Sequence, residues 1–170
     1  MAKKVALGIA LIVAAALLQS TVLSNIGLRF HAVPDIALCI LVYIAYVNGR
    51  MTGQLTGFFS GLLIDFLSAA PLGLNAFVRT ITGVIAGSLK DTFYLDFIFL
   101  PMALCAGATI FKALLFFLLN LIFPASVPAY DIFTPTLWVE LGMNTLLAPL
   151  LFALLKLIKP LGQGKKENTL

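Results

Sequence analysis

Residues 49–65, GRMTGQLTGFFSGLLID, decide how the chain is read. Gly49, Gly53, Gly57, Gly61 and Asp65 recur every four residues. At 3.6 residues per turn, that spacing keeps them on one slowly drifting face of an α-helix. Thr52, Thr56 and Ser60 extend the small, weakly polar character of the same face. In lipid, packing rather than hydrophobicity joins helices, and small residues at this spacing let a second backbone approach. The next apolar stretch repeats the device as Arg79, Gly83 and Gly87. Two uses of such faces stay open: packing within the chain, and docking of a partner helix.

The composition around this stretch is that of a membrane protein. Of 170 residues, 61% are hydrophobic and 11% charged, against about 45–50% and about 25% in a soluble domain. Mean hydropathy is +1.08. Such a chain cannot cover itself with a polar surface. A disordered chain is excluded on the same ground. A disulfide scaffold is excluded because both cysteines, Cys39 and Cys105, lie in apolar runs and read as small packing residues. The sequence pI is near 9.2, but the basic residues are scattered, so no nucleic-acid partner is expected. At about 20 residues per helix, the length admits about six spans and no soluble catalytic domain.

The expected architecture is an all-α integral membrane protein of six transmembrane helices in one domain, residues 1–158. Spans are expected at about 5–24, 34–47, 51–69, 74–89, 97–122 and 136–158, followed by a polar tail over 159–170. Pro34-Asp35 opens the second span: proline suits a first helical turn, and an acid there faces the positive end of the macrodipole. That span is short and is expected to begin below the membrane surface. Ala70-Pro71-Leu72-Gly73 is a tight turn, and Pro149 is expected to kink the last helix. A signal peptide shares the Lys3-Lys4 front end, but the apolar run behind it is long for one. With the N-terminus inside, one side holds Lys3, Lys4, Arg50, Lys90, Lys156, Lys159, Lys165 and Lys166, and the other only Arg29. This places both termini in the cytoplasm, with the protein multi-pass in the membrane. Tyr43, Tyr46, Phe93 and Tyr94 read as aromatic anchors at the inner face, Tyr130 and Trp138 at the outer.

Charges within spans are costly and seldom face lipid. At about 1.5 Å of rise per residue, Asp65, Arg79, Lys112 and Glu140 all fall roughly 6–9 Å below the outer boundary. Gln19 and Asn75 fall in the same layer and Asn144 a little deeper. The formal charges of the two acids and two bases cancel. One reading is a pair of internal ion pairs that set helix order, with Asp65 and Arg79 as one pair across the Pro71-Leu72-Gly73 turn. Another is a polar pocket open to the outside or a docking site. Lys112 could also snorkel outward. No nucleophile elbow, zinc pattern or phosphate loop is present in the sequence, and His31 is a lone loop histidine. No catalytic residue, metal ligand or cofactor is expected.

The order of these features resembles the family of the rod shape-determining protein MreD. The resemblance rests on Pro34-Asp35 opening a helix, on Gly57-Phe58-Phe59-Ser60-Gly61-Leu62-Leu63-Ile64-Asp65, and on the Pro71-Leu72-Gly73 turn, and is clearest from Pro34 to Gly87. It implies a multi-pass protein of the bacterial inner membrane, a non-enzymatic scaffold of the cell-elongation complex that binds a bitopic MreC-like protein. Through it the scaffold would meet MreB filaments, a RodA-type glycosyltransferase and a class B penicillin-binding protein. Membrane lipids, and a second copy of the chain, stay open as partners. Gly53, Gly57, Gly61, Gly83, Gly87, Pro34 and Asp35 are then the candidates for partner binding or helix packing. The architecture is also similar to the substrate-binding subunits of energy-coupling-factor transporters, which implies a second reading: a subunit binding a small solute in the polar layer.

Overall fold

A computed structural model describes residues 1–20, 33–68, 71–92, 98–127 and 135–158. Among them are six helices and no strand: α1 (Ala2–Leu18), α2 (Ile36–Asn48), α3 (Arg50–Leu67), α4 (Leu74–Ser88), α5 (Phe99–Ile122) and α6 (Pro135–Lys156). Arg29, His31, Phe93, Tyr94, Tyr130, Lys159, Lys165, Lys166 and the 159–170 tail lie outside the described residues.

The centre of the bundle is its shortest helix. α2 touches all five other helices, and every residue from Ala37 to Ala45 is buried. Thirteen residues rise roughly 20 Å, too little to cross a hydrocarbon core of about 30 Å. Its start is sunk into the bundle: Pro34 and Asp35 are both buried, and the Asp35 carboxylate caps the helix by accepting from Leu38 N at 2.9 Å. The central position also displaces one expectation. Tyr43 is not an interface anchor; it is 5% exposed and meets Phe152 of α6 edge-to-face, ring centroids 5.1 Å apart. A ring on a helix ringed by five others cannot reach the lipid headgroups.

α2 and α3 are joined by Gly49 alone, whose φ of +92° is a conformation that a side chain would strain. α3 and α4 form the tightest pair. A Cβ on Gly53 would fall on the Gly83 carbonyl, one on Gly57 on the Arg79 carbonyl, and one on Gly61 within 2.5 Å of Ala76 Cα. One on Gly87 would lie 2.6 Å from Arg50 N. Five of the six ladder glycines, all but Gly49 at the turn, are therefore taken up between α3 and α4, leaving no small-residue groove there for an outside helix. The same four-residue period explains why: two glycine faces in sequence, joined by a short turn, meet each other first.

The bundle is inside out relative to a soluble protein. Thr56, Ser60, Thr109 and Asn144 are fully buried, whereas Phe66, Leu121, Leu146 and Leu150 are exposed. The buried hydroxyls of Thr82 and Thr109 donate to their own helices, to Val78 O and Cys105 O, both 2.8 Å, whereas Thr56 Oγ1 has no partner among the described residues. α5 and α6 are long and apolar enough to cross a membrane, and only 22% and 28% of their apolar windows are buried in the protein. A soluble core helix would be mostly covered.

Candidate functional site

The polar groups gather at one end of the bundle. That end holds the starts of α2, α4 and α6 and the end of α3, so α2, α3 and α4 alternate in direction. Asp35, at the start of α2, is the hub. Its Oδ1 accepts from Arg79 Nη2 of α4 at 3.2 Å, and its Oδ2 from Lys112 Nζ of α5 at 2.9 Å. Lys112 Nζ also reaches Glu140 Oε1 of α6 at 2.5 Å. Asn144, one turn further along α6, accepts from the Asp35 backbone N–H at 2.8 Å and donates to Thr109 Oγ1 of α5 at 2.9 Å. Four helices are thus joined by two acids and two bases whose formal charges cancel. The side chains are 8–14% exposed. At that burial each charge depends on the others, because an unpaired ion in a low-dielectric interior is costly.

The acid opposite Arg79 is Asp35, not Asp65. Asp65 is 2% exposed and makes a different structure. Its Oδ2 accepts from Gly73 N at 3.0 Å and Ala76 N at 3.1 Å, and its Oδ1 from Asn75 N and Asn75 Nδ2, both at 2.9 Å. The carboxylate at the end of α3 therefore holds the N-terminus of α4, where unpaired N–H groups and the macrodipole favour an anion. Equal depth brought Asp65 and Arg79 together on paper. The bare N–H groups of α4 lie closer to Asp65, while Arg79 reaches the buried start of α2. Lys112 likewise turns inward to its two carboxylates instead of snorkelling.

The sequence carried one signal for the missed hub. Pro34-Asp35 begins a helix too short to span, so its cap has to lie within the apolar layer, among the other charges. Gln19 is the remaining member of that layer. Its Oε1 is buried without a hydrogen-bond partner among the described residues, as is Arg79 Nη1. Both residues line a cavity of about 340 Å³ together with Ala16, Ser20, Val33, Asp35, Ala37 and Ile64. With both oxygens of Asp35 and of Asp65 engaged, the charged donor left over is an Arg79 N–H beside that cavity.

The opposite end is basic. Lys4 Nζ donates to Asn48 Oδ1 at 2.7 Å, and a Cβ on Gly49 would lie 3.5 Å from Lys90 Cδ. Neither curated proteins nor solved structures gave a match to the chain. The family model described as rod shape-determining protein MreD matches residues 1–158, well beyond the Pro34–Gly87 region where the motifs are clearest. All six helices lie inside that match. Apolar helices exposed along their length, with a glycine-packed hairpin closed by the carboxylate of Asp65, are therefore those of a membrane protein concerned with bacterial cell shape, and the chain belongs to the MreD family.

Proposed function

We propose that the protein is a non-enzymatic scaffold of the cell-elongation complex, with six spans and both termini in the cytoplasm. It binds an MreC-like bitopic protein and through it bears on MreB filaments, a RodA-type glycosyltransferase and a class B penicillin-binding protein. The observation that carries this reading is the Asp35–Arg79–Lys112–Glu140 cluster. It pairs four intramembrane charges with one another and ties four helices into a fixed frame, which suits positioning of partners. The grouping of Lys4, Arg50 and Lys90 at the other end supports a cytoplasmic placement of that end. With the glycine faces occupied internally, the partner's helix meets the exposed apolar surface.

The test is purification of the tagged protein from its native membrane in mild detergent, with mass spectrometry of the accompanying chains. An MreC-like protein and wall-synthesis enzymes are expected. A pair of ABC-type ATPases in their place would reject the scaffold for the second reading, a solute-binding subunit, which the cavity beside Arg79 supports.

A further inference from the structure

We propose that the cavity between the end of α1 and the starts of α2 and α4 is a binding site for a phosphoethanolamine group, supplied by a phospholipid. Arg79 and Gln19 present complementary needs there. Arg79 Nη1 is a cationic donor without a partner among the described residues, on a side chain 8% exposed. Gln19 Oε1 is a buried acceptor in the same condition. Both residues line one cavity. A buried polar atom left unpaired costs free energy, so the pair favours a ligand that accepts at one point and donates at another.

Charge narrows the class. Asp35 and Glu140 already balance Arg79 and Lys112. A ligand with net charge would leave the buried cluster charged, whereas a zwitterion keeps it neutral. A phosphate oxygen accepts from guanidinium in a charge-assisted bond, and a primary ammonium donates to an amide oxygen. Phosphoethanolamine in diester linkage, as in a phospholipid, carries both and is neutral overall. A choline headgroup has no N–H to donate, and a glycerol headgroup brings a net negative charge.

Size and position agree. About 340 Å³ is at the small end of ligand pockets, about 300–1,000 Å³. Gln19 follows the last turn of α1 and Arg79 stands on the second turn of α4, so the two polar groups come to the cavity from different helices. Ala16, Val33, Ala37 and Ile64 offer apolar walls to the glycerol and first methylenes. The proposal uses the membrane placement above only to say that the outer leaflet supplies the lipid.

The experiment is native mass spectrometry of the full-length protein in detergent, with phosphatidylethanolamine, phosphatidylcholine and phosphatidylglycerol of identical acyl chains at equal concentration. Retention of the ethanolamine lipid about tenfold above the other two is expected, the scale of one hydrogen bond to a charged group. Gln19→Leu should lose the preference over choline with its unfolding temperature unchanged. Should that variant not fold, the N-methylated lipid series reads the same bond in the native chain: preference persists through two methyl groups and disappears at three. Excess glycerophosphoethanolamine, a phosphodiester that keeps the headgroup's zero net charge, separates the sources. Displacement of the lipid shows that the headgroup suffices, and no displacement shows that the acyl chains are required. Equal retention of the three lipids, or an undiminished preference in folded Gln19→Leu, overturns the site. Neither result bears on whether an MreC-like protein co-purifies.

Discussion

Asp35 does three things at once: it caps α2, pairs with Arg79 and pairs with Lys112. Removing it leaves buried Arg79 without a carboxylate and Lys112 with Glu140 alone, so Asp35→Ala should cost about 3–5 kcal/mol. Asp35→Ala with Arg79→Ala should cost less than the sum of the single changes, with a coupling of about 0.5–3 kcal/mol. Unfolding of the purified variants in detergent measures it, and strict additivity would reject the pair. Asp65 gives the opposite expectation. It shares no bond with Arg79, so the Asp65→Ala and Arg79→Ala cycle should be additive to about 0.5 kcal/mol. Asp65→Ala alone should lose about 2 kcal/mol, because three backbone N–H groups of residues 73–76, that of Ala76 buried and those of Gly73 and Asn75 part-buried, lose their acceptor. Asp65→Asn should also destabilise, since its amide nitrogen would face one set of these donors.

Among the helices, the α3–α4 hairpin has the least room for change. A single methyl at Gly53 or Gly57 would meet a backbone carbonyl of α4, and backbone cannot swing aside as a side chain can. Gly57→Ala should therefore cost about 1–3 kcal/mol, and Gly57→Leu should abolish accumulation in the membrane. Gly107→Ala and Gly142→Ala are the contrast. Both positions are mid-helix with nothing within 4 Å of the added Cβ, and alanine is the better helix former by about 1 kcal/mol. These two variants should accumulate at least as well as the native chain and keep rod shape. Equal loss in all four would show that glycine content, rather than the α3–α4 contact, is what matters.

For the molecule as a whole, the charge bias makes a topological prediction. Cysteines placed at Ser126 and Gly164 should label from opposite sides of the membrane, Gly164 from the cytoplasm. Both native thiols are 1% exposed, so Cys39 and Cys105 should contribute little background. Labelling of both positions from outside would reject the six-span arrangement. The neutral, interlocked cluster at one end and the basic residues at the other give the bundle two chemically different ends. That polarity suits the proposed scaffold, whose two ends would face different partners.

Membrane character, the six helices among the described residues and the presence of close contacts on the glycine faces of α3 and α4 were legible in the sequence, because each follows from composition or from period along one element. A glycine every four residues marks a close contact whatever lies opposite. The choice of what lies opposite was not legible. Depth along separate helices placed Asp65, Arg79, Lys112 and Glu140 in one layer, but depth carries no information on which helix neighbours which. Only the tertiary structure put α2 at the centre, where its sunken cap made Asp35 the shared partner of two cations and left Asp65 to the nearer N–H groups of α4. Pairing between helices is decided by rotation and adjacency, set by the summed packing of all six, and no local stretch of sequence contains them.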